Sequence, residues 1–457
     1  MALTIKKLIT RTNKKDLALL IGICALIIGV LIFQQRIFVR NDFYVAHHFG
    51  ENWPMLKTIS IILGALYLGL WAVIRNTKIS AKNILVIAST AFILIAGVAL
   101  VTHPTRSQDL YHSLLLGKGL TESGLNPYTT APQDVDYPSW NYPVLAWKDV
   151  AMPYGPIWSD IVIGIAYVTS SLGVALVLAK SFFILVLAFL GFLLFKLAQH
   201  QSFTREAAAK ITALFLLNPF IIQTVLIDGH SDILVGFFLM VSLYLLSREK
   251  YGFSILALAA GGLVKYSPFM IMFAPVYLAI RKYGFKKIGQ LLAGLVVSVA
   301  LVISVYHPFD ATIRGIIKLV LGINLQGLAT EFLPGTTMLI QYFHMTPSHL
   351  RIFGIVAAIA VLVWALHKKK IALAYTMPFI VFFFFATTWF QAWYVLWLMP
   401  VIFLAWPSVA VVLMTALLLP MPELISPSMV SYVAMTIISV VLFFRYLSHE
   451  DGRADTR

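Results

Sequence analysis

Acid is scarce in this sequence. Nineteen aspartates and glutamates stand against 34 lysines and arginines in 457 residues, and charged residues of both signs make up only 12%. A soluble domain of that length carries roughly a quarter charged residues, so the shortage excludes an ordinary water-exposed fold. Cysteine is nearly missing: Cys24 stands alone, which excludes an internal disulfide and a cysteine-based metal site. No long polar block is available for a separate soluble domain, and no repeat marks the inverted halves of a transporter.

What is present is apolar. Sixty per cent of the residues are hydrophobic, in runs long enough to cross a bilayer as helices. Spans are expected near 17–33, 57–74, 83–101, 174–196, 207–226, 231–247, 252–264, 267–281, 286–306, 351–366, 371–388, 394–405, 408–420 and 429–445. The expectation is one all-α polytopic transmembrane helical bundle over 1–457, with about fourteen spans. Segment 17–33 lacks a small-residue cleavage site and reads as a retained helix.

The net charge of +15 raises the question of a nucleic-acid partner, which the positions of the cations answer. They cluster between spans: Lys6, Lys7, Arg11, Lys14 and Lys15; Arg75, Lys78 and Lys82; Lys196, Arg205 and Lys210; Arg248 and Lys250; Arg281, Lys282, Lys286 and Lys287; Lys368, Lys369 and Lys370. That is the positive-inside pattern, so the partner is a lipid bilayer and no nucleic acid is expected. An even span count then leaves both termini in the cytoplasm. Segment 156–173, "PIWSDIVIGIAYVTSSLG", fits this scheme only as an interfacial or half-inserted helix on the outer face, because a full crossing would move Lys196 and Arg205 outside. Two long outer loops follow, 103–173 and 307–350, carrying short interfacial helices; loops that long usually bear function.

Six of the scarce acids lie in the first loop: Asp109, Glu122, Asp134, Asp136, Asp149 and Asp160. Asp109 falls just past the span 83–101, where an ionised carboxylate is costly without a partner or a watery cavity. The plain alternative is that Ser107 or Asp109 caps the helix suggested by "SQDLYHSLLLG". A second group, Asp228, His230 and Asp232 in "DGHSD", sits at a helix junction around Gly229; here Ser231 or Asp232 could simply cap the helix that follows. Lys265 in "GGLVKYSPF" lies between apolar helices, either facing an anion or snorkelling to headgroups. Arg314, Lys318, His307 and His344 are the main basic groups of the second loop, and could equally bind lipid phosphates. Trp389, Gln391, Trp393, Tyr394 and Trp397 fall at the outer boundary, where an aromatic belt explains most such residues.

In order and spacing, "DLYHSLLLGKGLTESGLNPYTTAP", "PYGPIW", "LNPF", "DGHSD", "GGLVKYSP" and "QAWYVLWLMP" resemble the polytopic GT-C glycosyltransferases, and among them the polyprenyl-phosphate-mannose-dependent mannosyltransferases. The likeness covers about residues 100–400. It departs where the family's Tyr-Pro-Pro is Tyr154-Gly155-Pro156, and in having two helices before the span that leads to Asp109. The resemblance implies a GT-C fold and transfer of a sugar, mannose by preference, from a polyprenyl-phosphate donor to a membrane-associated lipid, glycan or protein acceptor on the outer face, with Asp109 as catalytic carboxylate.

The residues fit that chemistry. A base must stand near the acceptor hydroxyl and a cation near the departing phosphate. Asp109 is the expected base of an inverting displacement. Lys265, Arg314, Lys318, His230 and His344 compete for the phosphate. Asn126, Tyr128 and Tyr154 are candidate sugar contacts, with His112, Asp232, Tyr266, Gln391 and Tyr394 as further substrate-binding candidates. Retention would need a second carboxylate, which Asp228 or Asp232 could supply. Asp109, His230 and Asp232 could converge on a divalent cation, but no cofactor is expected, since basic side chains can stabilise the phosphate. The rival reading is a transporter or flippase of a lipid-linked sugar or small solute; a third is a non-catalytic membrane subunit. Compact loops and the lack of transit features point to a bacterial plasma membrane.

Overall fold

The computed structural model describes residues 14–40, 49–135, 147–309, 344–385 and 391–418. Among these the chain is all-helical, with no strand. In order come α1 (Lys14–Arg40), α2 (Phe49–Asn76), α3 (Ala81–Val101), α4 (Asp109–Ser123), α5 (Pro156–Val168), α6 (Leu172–His200), α7 (Arg205–Leu216), α8 (Ile233–Ser247) and α9 (Tyr251–Gly262). Then follow α10 (Phe273–Tyr283), α11 (Ile288–Tyr306), α12 (Pro347–His367), α13 (Met377–Phe385), α14 (Met399–Ala405) and α15 (Pro407–Leu418).

Among the described residues, six helical stretches are long and apolar enough to cross a membrane: Lys14–Ile37, Pro54–Asn76, Ala81–Val101, Leu172–His200, Arg205–Ile227 and Ser267–Tyr306. The last is interrupted by a short 3-10 turn, Gly284–Lys287, between α10 and α11. Shorter apolar helices include Pro156–Val168, Ile233–Ser247 and Tyr251–Gly262. The expected span 394–405 is instead a 3-10 helix, Ala392–Trp397, followed by α14. The expected span 429–445 lies outside the described residues.

Local chemistry sets the helix starts. Ser80, Ser171 and Thr204 each accept a backbone N–H three residues on, satisfying a donor that the helix itself leaves unpaired. Leu292, Val296 and Ile303 of α11 are exposed while its interior face is packed on α9, an apolar exterior that suits lipid and not water. At the centre runs α7, which packs on α3 and α6 and is almost wholly enclosed. Lys210 of α7 donates to the carbonyls of Arg75 and Thr77 at the end of α2. The described part of the first long loop holds α4 and α5, which pack against each other.

Candidate functional site

α3 and the helical run that begins with α7 both finish at the site. α3 ends at Val101 with Thr102 as its C-cap, and Lys180 of α6 donates to the carbonyls of Ala99 and Thr102. A strap, 103–108, then leads into α4, and Ser107 Oγ accepts the N–H of Asp109. The run from α7 ends differently. Asn218 Oδ1 accepts from Ile221 N, after which Ile222–Ile227 widens into a π turn, a form that re-aims the residues at a helix end. Asp228 N bonds Gln223 O and His230 N bonds Thr224 O. Gly229 has φ 77°, and a Cβ there would stand 2.5 Å from Leu110 Cδ2. Turn and α4 are therefore in direct contact.

That contact brings Asp109 to His230. His230 Nδ1 is 3.4 Å from Asp109 Oδ2, within ion-pair reach though not aligned as a hydrogen bond. Tyr154 donates its hydroxyl to the same oxygen at 2.9 Å. Oδ1 takes no hydrogen bond among the described residues, and the side chain keeps 14% exposure. Burial pushes the Asp109 carboxyl up, but His230, the Tyr154 hydroxyl and His112 together outweigh it and hold it below the usual carboxylate range. His112, one turn along α4, points Nε2 at Val150 O at 2.7 Å; a carbonyl only accepts, so Nε2 carries the proton. Burial holds the His112 imidazole below its ordinary value.

The cation of the site is Lys265. Its Nζ is 2.9 Å from Asp232 Oδ1 and stands 4.9 Å from the ring centre of Tyr154, 4.3 Å from that of Tyr394 and 5.5 Å from that of Trp397. Burial disfavours its charge, yet Asp232, helped by Asp109, keeps the ammonium above the ordinary lysine value. Trp397 Nε1 donates to Asp232 Oδ1 at 2.6 Å, and Trp393 stacks on His230 with centroids 4.1 Å apart. The break between Tyr154 and α5 positions both Tyr154 and Lys265. Gly155 N donates to Val264 O at 2.8 Å, and a Cβ on Gly155 would lie 2.2 Å from Leu263 O. Proline, with no N–H and a ring, would meet neither condition.

These placements decide between readings that the sequence left open. Asp109 does not cap α4, whose N-cap is Gln108 without a side-chain bond. Asp232 occupies the N-cap position of α8 without bonding it, and Ser231 Oγ has no partner; the carboxylate is committed to Lys265 and Trp397. Lys265 does not snorkel. Trp393, Tyr394 and Trp397 face inward and form no belt. Asp109, His112, Tyr154, His230, Asp232, Lys265 and Tyr394 thus come together, with Gln391 buried nearby at the start of the 3-10 helix.

Other candidates have partners of their own. Asn126 accepts from Tyr128 N and donates to Phe309 O, while Tyr128 bonds Ser159 and packs edge-on against Phe309. Tyr266 bonds Tyr306. These residues make a second cluster at the start of the second loop. His344 is exposed with φ 52° and is joined to the site by no hydrogen bond or ion pair. Arg314, Lys318 and Trp389 lie outside the described residues. Among the described residues no three of His, Cys, Asp or Glu are gathered as a metal site. Residues not anticipated as site members are Thr105, Arg106, Trp393 and Trp397; for the tryptophans the spacing to Tyr394 on one short turn is the only sequence signal.

Residues 17–281 match the model of the MptA_B family, described as "Alpha-(1->6)-mannopyranosyltransferase, N-terminal domain". No curated protein and no solved structure matches the chain. The matched stretch carries Asp109, Tyr154, Asp228, His230, Asp232 and Lys265, and ends before the aromatic 3-10 helix.

Proposed function

Because the chain belongs to the MptA_B family of alpha-(1->6)-mannopyranosyltransferases and is a membrane mannosyltransferase, we propose that it moves mannose from a polyprenyl phosphate to a 6-hydroxyl of a membrane-associated acceptor by a single inverting displacement at Asp109. The acceptor oxygen attacks the anomeric carbon and its proton passes to Asp109 Oδ1. The bond from that carbon to the phosphate oxygen breaks, and polyprenyl phosphate departs toward Lys265. An α product formed by inversion requires a β-linked donor.

The observation that carries this reading is the placement of base and cation. One oxygen of Asp109 is held by Tyr154, the other takes no hydrogen bond among the described residues, and Lys265 stands over the same Tyr154 ring. A low carboxylate pKa keeps the base ionised, and the hydroxyl acidifies only as its bond forms, so general-base help is worth about 10²- to 10⁴-fold. Lys265 brings three donors, of which Asp232 engages one. Arg314 and Lys318 are assigned as further phosphate contacts and Asn126, Tyr128, Tyr266, Gln391 and His344 as outer substrate contacts; no metal is called for.

The wider reading is a single GT-C-type domain of about fourteen spans in a bacterial plasma membrane, with both termini cytoplasmic and the site on the outer face. It is supported by Lys210 meeting Arg75 and Thr77 at the start of α7, whereas the site forms where that helical run ends: basic groups at one end, acids at the other. The test is transfer in lipid vesicles with synthetic α- and β-anomers of polyprenyl phosphomannose. Only the β-anomer should serve, giving an α-(1→6) product. Use of the α-anomer would replace inversion by retention, and use of a nucleotide sugar alone would remove the lipid donor.

A further inference from the structure

We propose that Asp228 is a positioning residue: by holding the strap between α3 and α4 it sets where the Asp109 carboxylate stands against His230. The mechanism above leaves this carboxylate without a task, although it is wholly buried and an enclosed ionisable group is costly to keep. Its Oδ1 accepts the N–H of Thr105 at 2.8 Å and of Arg106 at 3.0 Å, with the Thr105 hydroxyl at 3.4 Å. Bonds from N–H groups to a carboxylate are stronger than those between neutral partners. The strap is braced from behind, since Gln34 donates to Thr105 Oγ1 at 3.3 Å and to Gln223 Oε1 at 3.1 Å.

The consequence is geometric. Arg106 lies three residues before Asp109, and Asp228 lies two before His230, so one carboxylate ties the segments that carry both members of the pair. Leu110 packs directly on Gly229, so a shift of the strap cannot be absorbed between them and must move Asp109. Misplacement of a reacting group by about 1 Å can cost about 10²-fold in rate.

This inference rests on Asp109 being the base, and its test separates the two. The full-length protein in lipid nanodiscs is compared with Asp228→Asn, which retains a carbonyl oxygen for both N–H groups, and Asp228→Val, which does not. Hydrogen–deuterium exchange of the peptide spanning the strap should rise in the Val variant and stay near the parent in the Asn variant. Transfer by the Val variant should lose about 10²-fold in kcat with the donor KM unchanged, and the Asn variant should recover most of it. Should the Val protein fail to elute as a folded species, Asp228→Ser, whose hydroxyl is too short to reach both donors, takes its place with the same expectations. Unchanged strap exchange, or a loss expressed in donor KM, overturns the proposal. An Asp109→Asn variant that stays active would remove the base reading, while strap exchange would still decide whether Asp228 holds the strap.

Discussion

Asp109 is pulled two ways. Burial raises its pKa, and the surrounding His230, Tyr154 and His112 lower it by more. A base must be ionised to act, so a depressed pKa keeps the active form populated as pH falls. Normalised kcat/KM should therefore hold through the ordinary carboxylate range near about pH 4. Replacing His230 by Gln removes the largest lowering contribution, and an acid limb should then emerge in that range. Identical pH profiles for parent and variant would mean that His230 does not govern the carboxylate. At Lys265, Gln substitution leaves the cage of Tyr154, Tyr394 and Trp397 without its cation and Asp232 without its ion pair. Stranding a buried charge costs about 3–5 kcal/mol, so the expected result is a lower unfolding midpoint together with lost transfer, and donor binding measured apart from turnover should weaken. The pairing of Asp109 with the "DGHSD" turn was legible because acids are so rare that two groups of them at span ends stand out. Arg106 and Thr105 gave no signal, since they act through backbone N–H groups that any residue would supply. Asn126 was legible as polar, but its ties to Tyr128 N and Phe309 O were not.

At the scale of elements, the site depends on places where helices stop. The π turn after α7 delivers Asp228, His230 and Asp232 from one side, the strap delivers Asp109 from another, and the Tyr154–Pro156 break locks onto the carbonyls before Lys265. Gly155→Ala tests the last of these. With Leu263 O in the way of a Cβ, the 263–264 backbone must move and carry Lys265 with it; a stability loss of about 1–3 kcal/mol is expected, read as a lower unfolding midpoint together with reduced transfer. Helical runs such as α3 and α6 were readable because a helix in lipid must be apolar along its whole length. The stretch "QAWYVLWLMP" misled for the same reason: aromatic and aliphatic residues read as span and belt, while a 3-10 turn aims Tyr394 and Trp397 inward. Period alone does not distinguish a helix facing lipid from a short turn facing a site.

Across the described residues, the run that begins with α7 is almost wholly enclosed, the polar site forms where it ends, and Lys210 nearer its start meets Arg75 and Thr77. Residue, element and bundle meet at one point: a lipid-phosphate sugar enters so that its reacting carbon lies between Oδ1 of Asp109 and the ammonium of Lys265. A structure of the protein with a β-polyprenyl phosphomannose analogue bound tests it most directly. The phosphate should lie within about 3 Å of Lys265 Nζ and Asp109 Oδ1 on the opposite side of the anomeric carbon, with room for an attacking hydroxyl at about 3–3.5 Å. A phosphate bound among the basic clusters at the far end of α7, or an anomeric carbon out of reach of Asp109, would contradict it.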